Sequence, residues 1–409
     1  MTTWCVPILS RVTHHGSRIM GHASFPMKIA VAMSGGVDSS TVAALLKEAG
    51  HEVLGLHMRL VCVPPSDAAR MAEALGVRPE DLCCPQGHGC YVAHVAASLG
   101  VRLEMVDFSA EREALIAYLC AEYDAGRTPN PCVACNRWNK FGRLLRHGLA
   151  LGAERFATGH YVRLAAIPDS RLQIPDSNPQ SAFRIPHSAM RWVVRRGTDA
   201  AKDQSYVLFG LTQEQLAHCI FPLGELRKDD VRRMATERGV PAVEREESQD
   251  ICFIPTRDHR RLLRERLGDR IRPGPILDTQ GRVLGEHPGC QGFTIGQRHG
   301  LRVALGSPRY VVRIDRKANA VIVGTRAELL RTTMQVSQVN WMAFEQPPAR
   351  IEATVQIRYN HRPAAATIEP TPDGGARVTF HAPEAGIAPG QAAVFYQDDL
   401  VLGGGWIEG

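Results

Sequence analysis

Met27-Lys28-Ile29-Ala30-Val31-Ala32-Met33, followed by Ser34-Gly35-Gly36-Val37-Asp38-Ser39-Ser40, is the stretch that decides the fold of this chain. The apolar run reads as a buried parallel strand. Residues Thr41–Glu48, apolar at Val42, Ala43, Leu45 and Leu46, read as the first helix. Between them, glycines and serines make a tight turn whose N–H groups and hydroxyls face the positive end of a helix, an arrangement that binds phosphate. It is not a Walker loop, because no Gly-Lys-Ser/Thr ending follows at the required spacing. A plain strand-to-helix turn is the competing reading of the same residues.

Working outward, Glu52–Leu60 reads as a second buried strand and Arg102–Asp107 as a third. Ser66–Leu75, Tyr91–Leu99 and Ser109–Ala125 have helical apolar spacing. Strands alternating with helices of this length predict a doubly wound parallel α/β sheet that binds ligands at the carboxyl ends of its strands. Met58, near the end of the second strand, reads either as a contact to a bound base or as a core methionine. Phe156–Tyr161 looks like a further strand ending in a glycine turn at Gly159. Residues 164–190, rich in proline, serine and aspartate, read as an excursion before a strand at Arg191–Arg196. Helices follow from Thr212 and over Arg227–Arg238. From about residue 258 glycine and proline recur between short β-branched runs, and after Leu330 the pattern is strand throughout, as in a small barrel. The expected domains are a 1–26 extension, a catalytic domain over 27–257 with the 164–190 insertion, a small central domain over 258–328, and a β-barrel over 329–409.

Length and composition agree. The 409 residues suffice for two or three domains, and 44% hydrophobic with 22% charged content suits a globular protein. No apolar run approaches the roughly 18 residues of a membrane span. A net charge of +6 tolerates a polyanionic partner without demanding one. Residues 1–26 read as a disordered tail, as the product of an upstream start, or as a mitochondrial transit peptide.

Eleven cysteines are too sparse for a disulfide scaffold and too clustered for core filler alone. Cys83, Cys84, His88 and Cys90 could ligate zinc, although adjacent Cys83 and Cys84 suit one tetrahedral ion poorly and a second knuckle is missing. In Gly126-Arg127-Thr128-Pro129-Asn130-Pro131-Cys132-Val133-Ala134-Cys135-Asn136, two prolines predict an extended loop. Asn136 is then the expected cap of a helix through Leu149, which puts Cys135 at a helix N-terminus beside Arg127, Arg137 and Lys140. That environment would lower its thiol pKa. The Cys-x-x-Cys is a redox pair, half a metal site, or coincidence. Cys252, isolated between apolar neighbours, reads by composition as a buried core cysteine.

Taken in order, SGGVDSS, GRTPNPCVACN, ATGHY, KDQSYVL, SQDICFI, GFTIGQRHGL and IRY resemble the motif series of the tRNA-specific 2-thiouridylases, from Met27 to the C-terminus. These are N-type ATP pyrophosphatases, with an adenine-nucleotide alpha-hydrolase-like catalytic domain, a central domain and a C-terminal barrel. The resemblance implies ATP-dependent 2-thiolation of the wobble uridine of tRNA of the Lys, Glu and Gln type, in the cytoplasm, by a monomer. ATP, accompanied by magnesium (Mg2+), would adenylate the C2 oxygen. Its contacts would be Ala32, Met33, Ser34, Gly35, Gly36, Val37, Asp38 and Ser39, with Met58 and Gly159. Cys252 would carry a persulfide and Cys135 would be the nucleophile, the pair ending as a disulfide. Sulfur would come from a cysteine desulfurase or a sulfur-relay protein.

The tRNA contacts implied are Asn130, Pro131 and Cys132 at the target base, Lys202, Asp203 and Gln204, and Arg358 with Tyr359 on the barrel, where a cation beside an aromatic ring suits an everted base. An exposed strand pair is the plain reading of Arg358 and Tyr359. One departure stands out: many relatives have aspartate at the position of Cys132. Three thiols at Cys132, Cys135 and Cys252 raise a second route, through an iron–sulfur cluster (4Fe-4S). Two other classes remain: a small-molecule ligase that shares SGGVDSS and needs neither cysteine, and a tRNA-binding protein with a relict ATP site.

Overall fold

The computed structural model describes residues 26–60, 91–168, 190–241, 251–254, 258–301, 303 and 307–408. The expectations for residues 1–25, for a helix at Ser66–Leu75 and for a zinc site at Cys83–Cys90 lie outside those residues.

Strands β1 (Lys28–Ala32), β2 (Glu52–Arg59), β3 (Arg102–Asp107), β4 (Arg155–Ala157) and β7 (Cys219–Ile220) form a parallel sheet in the order β3-β2-β1-β4-β7. Ile29, Ala30 and Val31 of the central strand are 0% exposed, as an unbroken apolar run requires. Strand order reverses about β1, so the crevice at its carboxyl end is the topological switch point. The chain leaves β1 there into α1 (Val37–Glu48). Helix α1 starts at Val37 rather than at Thr41: Gly36 is the last extended residue, and Asp38, Ser39 and Ser40 form the first turn. On one face of the sheet, Val31, Val42, Leu46, Val95 and Val231 join α1 to the helices Tyr91–Ser98 and Lys228–Glu237. The other face packs on Phe141, Leu145 and Tyr206 and shares a single core with the C-terminal barrel.

That barrel closes six strands, β12 (Leu330–Asn340), β15 (Ala376–Ala385), β14 (Ala364–Pro370), β13 (Ile351–Gln356), β16 (Ala392–Gln397) and β17 (Leu400–Ile407), by pairing β12 with β17. Gly403, Gly404 and Gly405 permit the closure. A Cβ on them would stand 2.5 Å from the Asn340 carbonyl oxygen, 2.7 Å from that of Ala393 and 2.4 Å from that of Ser337, so no side chain fits. The 164–190 stretch departs from its reading as one excursion. Residues Val162–Pro168 (β5) and Met190–Arg196 (β6) are paired antiparallel strands, from Val162 opposite Arg196 to Pro168 opposite Met190. The hairpin extends the barrel sheet, with Arg195 opposite Leu400 of β17. The central segment has a sheet of four strands, β10 (Tyr310–Asp315), β11 (Ala320–Gly324), β8 (Gly274–Asp278) and β9 (Val283–His287), over a core of Ile276, Cys290, Val311, Val321 and Val323. Among the described residues no helix is long and apolar enough to cross a membrane.

Candidate functional site

Two groups of residues make up the candidate site. The first is the turn after β1. Ser34 Oγ and Ser39 Oγ lie 3.2 Å apart, the Ser34 N–H donates to Ser39 Oγ at 3.1 Å, and Ser40 Oγ donates to the Gly36 carbonyl at 2.9 Å. No side chain caps α1, which leaves the N–H groups of its first turn to a ligand. Ala32 is half-buried and Met33 is 2% exposed behind the turn. Gly159, just past β4, touches the turn: a Cβ there would lie 2.9 Å from Asp38 Cβ and 3.0 Å from the Ser39 backbone nitrogen. Met58 is half-buried on β2, opposite Val106 of β3, and packs on the main core.

Asp38 Oδ1 accepts from Tyr161 Oη at 2.6 Å and from Lys228 Nζ at 2.7 Å. Lys228 is only 5% exposed, so its charge is committed to this corner. Nothing in the run RKDDVRR singles out Lys228 by type or spacing, and sequence reasoning missed it. One carboxylate beside a phosphate cradle is the usual protein share of a magnesium site. The Asp38 side chain keeps 32% of its surface exposed beside the turn, so the residues fit that ion.

The second group holds the cysteines. The helix begins at Pro131, with Pro at its first position and Asn130 as its cap, Asn130 Oδ1 accepting from the Val133 N–H at 3.3 Å. The expected cap at Asn136 is therefore wrong, and Cys135 lies inside the helix, 5% exposed. Its thiol pKa is not lowered. Burial pushes it up to about 12, Cys252 and Cys132 add to the rise, and Lys140 and Asn139 pull the other way. Cys132 is exposed, its pKa also raised by its recessed position and by Cys252, against Lys140. Cys252 is exposed, which corrects the reading of a core cysteine, while its neighbours Phe253 and Ile254 pack in one cluster with Cys135. Cys132, Cys135 and Cys252 thus lie within electrostatic reach of one another.

They do not make a cluster site. Among the described residues no three His, Cys, Asp or Glu side chains stand where they could hold a metal together. The residues do not fit a 4Fe-4S cluster.

The barrel closes over this second group. The Thr128 N–H donates to the Pro389 carbonyl at 2.7 Å, and Gln391 Nε2 donates to the carbonyls of Thr128 at 3.0 Å and Pro129 at 3.1 Å. Tyr359, 43% exposed, donates from its hydroxyl to the Asp203 carbonyl at 3.2 Å. Burial raises its pKa, with Asp203 and Cys132 adding to the effect, so the ring stands near the exposed thiol. Arg358 fills the space beside Gly386, its Nη1 2.6 Å from where a Cβ would be. Asp203 and Gln204 are largely spent on the protein itself. The Asp203 carboxylate accepts from Arg196 Nη1 at 2.6 Å, from the Gly197 N–H at 3.0 Å, from the Ser205 N–H at 3.1 Å and from Ser205 Oγ at 2.9 Å. Gln204 Oε1 accepts from the Tyr161 N–H at 3.0 Å, tying this loop to the phosphate turn. Lys202 is half-buried beside them.

A parallel sheet with an uncapped glycine-serine turn at its switch point defines a pyrophosphate-loop nucleotide enzyme. Family models place the chain further: "tRNA methyl transferase HUP domain" over residues 27–256, "tRNA methyl transferase PRC-barrel domain" over 260–325 and "Aminomethyltransferase beta-barrel domain" over 331–407. Among curated relatives, proteins named tRNA-specific 2-thiouridylase MnmA match from Moorella thermoacetica (44% identical, 92% of this chain and 98% of that protein) and Roseiflexus castenholzii (44%, 93% and 99%). One from Chloroflexus aurantiacus is 43% identical over 93% of this chain and 98% of its own. This chain belongs to the tRNA-specific 2-thiouridylase family of sulfur transferases.

Proposed function

We propose that this protein replaces the C2 oxygen of the tRNA wobble uridine with sulfur at the expense of ATP. The observation that carries the reading is the gathering of Cys132, Cys135 and Cys252 near Tyr359, with Cys135 packed against Phe253 and Ile254, in a chain whose turn after β1 suits phosphate. A uridine carbonyl oxygen is a poor leaving group. Attack of that oxygen on the α-phosphate of ATP joins AMP to it and releases pyrophosphate. The open N–H groups of α1, the Ser34 and Ser39 hydroxyls and Lys228 suit the phosphates, and Gly159 leaves room at the loop. Magnesium would be held by Asp38 and the phosphates, and would offset their charge.

The terminal sulfur of a Cys252 persulfide then attacks C2 and AMP leaves with the oxygen. The Cys135 thiolate attacks Sγ of Cys252. The Sγ–S bond breaks, its electron pair stays with the sulfur on C2, and a Cys135–Cys252 disulfide forms. A cellular thiol reductant reopens it. An exposed Cys252 suits loading by a partner protein, a cysteine desulfurase or a sulfur-relay protein. Asn130, Pro131 and Cys132 would line the target base with Tyr359 and Arg358, and Lys202 would face the backbone, whereas Asp203 and Gln204 act by shaping their loop. The protein is expected to act as a cytoplasmic monomer.

Nucleoside mass spectrometry tests this. Unmodified tRNA is incubated with ATP, magnesium, a cysteine desulfurase, cysteine and the protein, beside Cys135→Ser and Cys252→Ser variants. 2-Thiouridine is expected with the parent protein alone. Pyrophosphate release without it, with the donor shown to load Cys252, would count against the uridine assignment and favour a small-molecule acceptor.

A further inference from the structure

The segment Cys135–Leu144 is a π-helix, in which the Leu145 N–H reaches back to the Lys140 carbonyl. Closing the backbone ring over five residues widens the turn, and such segments gather at functional sites. In an α-helix, residues three and four further on share a face. The wider winding brings the fourth and fifth, Asn139 and Lys140, toward the Cys135 thiol.

Both have features that packing does not explain. Asn139 is 2% exposed and its Nδ2 has no hydrogen-bond acceptor, an unmade donor in a protein interior. It lies against Cys135 on the side that favours the anion. Lys140 is half-buried, and among the described residues no carboxylate pairs with it. Its charge reaches Cys135, Cys132 and, in the loop after β4, His160. His160 is buried and held neutral, first by burial and then by Lys140, so it adds no positive charge of its own. The groups that act on the Cys135 thiol are Lys140 and Asn139 on its own helix and Cys252 and Cys132 around it.

We propose that Asn139 and Lys140 form the pocket that holds the Cys135 sulfur as a thiolate during sulfur transfer. The amide N–H donates to the sulfur and the ammonium supplies the counter-charge; the thiol proton leaves to bulk water. This rests on Cys135 being the attacking thiol. The unpartnered amide is then a donor kept open for a charge that exists for only part of the cycle, as in other sites organised before the charge develops.

The test needs neither tRNA nor ATP, so it succeeds or fails independently of the uridine assignment. The full chain is alkylated with iodoacetamide at mildly alkaline pH, and each cysteine is followed by peptide mass spectrometry, with Cys252 as the reference in the same molecule. Lys140→Met, which keeps the stem, is expected to slow Cys135 relative to Cys252 by about tenfold, the size of a one-unit pKa rise. Lys140→Arg should restore most of the rate. Asn139→Leu, checked as folded by circular dichroism, should slow Cys135 several-fold, because the donor to the thiolate is gone. A folded Lys140→Met protein with the parent ratio overturns the proposal, as does a Lys140→Arg variant equally slow. If Lys140→Met does not fold, parent reactivity at Cys135 in Asn139→Leu overturns it instead.

Discussion

Cys135 is packed with Ile116, Leu119 and Phe253, and in that setting burial outweighs the nearby lysine and pushes the thiol up to about 12. A buried thiolate is disfavoured because it gives up the water that would solvate it. Below the pKa the thiolate is the minor form, and its fraction rises about tenfold for each pH unit. Where Cys135 attack limits the cycle, the single-turnover rate of 2-thiouridine release from persulfide-loaded protein should therefore climb about tenfold per unit from neutral to mildly alkaline pH. Rapid quenching and nucleoside mass spectrometry would measure it. A flat profile would place the limiting step before the thiolate attacks. The sign is opposite to that of a thiol activated at a helix N-terminus, whose rate would already have levelled off at neutral pH.

Among the elements, the contact of the β4 end with α1 tightly constrains the phosphate turn. Gly159→Ala would set a Cβ 2.9 Å from Asp38 Cβ and 3.0 Å from the Ser39 backbone nitrogen, and the backbone there has little room to yield. Overpacking of this kind costs about 1–3 kcal/mol. Here the strain falls on the first turn of α1, so ATP affinity should drop about tenfold or more while denaturant unfolding shows only the modest loss of stability. Equilibrium ATP binding on folded protein separates the two effects. That strand β4 ends beside the turn was readable from FATGHY, as were the buried run of β1 and the limits of β3, because apolar period and flanking glycine speak directly. The start of the cysteine helix was misread although its signal was present. Asn130 and Asn136 are both cap candidates, but Pro131 directly after Asn130 is the residue that suits a first helical position. The β5–β6 hairpin was obscured by the Pro- and Ser-rich stretch between its strands. Lys228 was beyond reach: its partner Asp38 is 190 residues away in the chain, and no local pattern announces such a pair. The exposure of Cys252 has the same cause, since neighbouring side chains alone suggested burial.

For the molecule as a whole, the central segment is locked to the cysteine-bearing domain at Asp124, the last residue of the helix Ser109–Asp124. Its Oδ1 accepts from Arg316 Nη2 at 2.8 Å and from Gln291 Nε2 at 3.2 Å, and its Oδ2 from Arg270 Nη1 at 3.2 Å. Arg316 Nη1 also donates to the buried Cys290 sulfur at 2.8 Å, so one guanidinium reads both sides of the junction. Two residues on, Gly126 packs on the Arg316 stem and begins the loop to Asn130. The junction therefore sets where that loop leaves its helix, and the barrel then pins the loop through Thr128 and Gln391. Asp124→Ala removes the shared acceptor and leaves the guanidinium groups without it. With Asp124 and Arg316 each about a quarter exposed (23% and 26%), solvent screens the pair, and the expected loss is about 1–3 kcal/mol rather than that of a fully buried ion pair. Because the lost contacts cross a junction and spare every core, thermal unfolding should lose cooperativity. The single transition should broaden or split, the central segment melting first. Calorimetry on the full chain tests this, with Arg270→Ala, which breaks only the outermost and most exposed contact, giving a smaller effect. A sharp single transition shifted downward as a unit would show instead that the domain cores, continuous from the parallel sheet into the barrel, impose cooperativity without the junction.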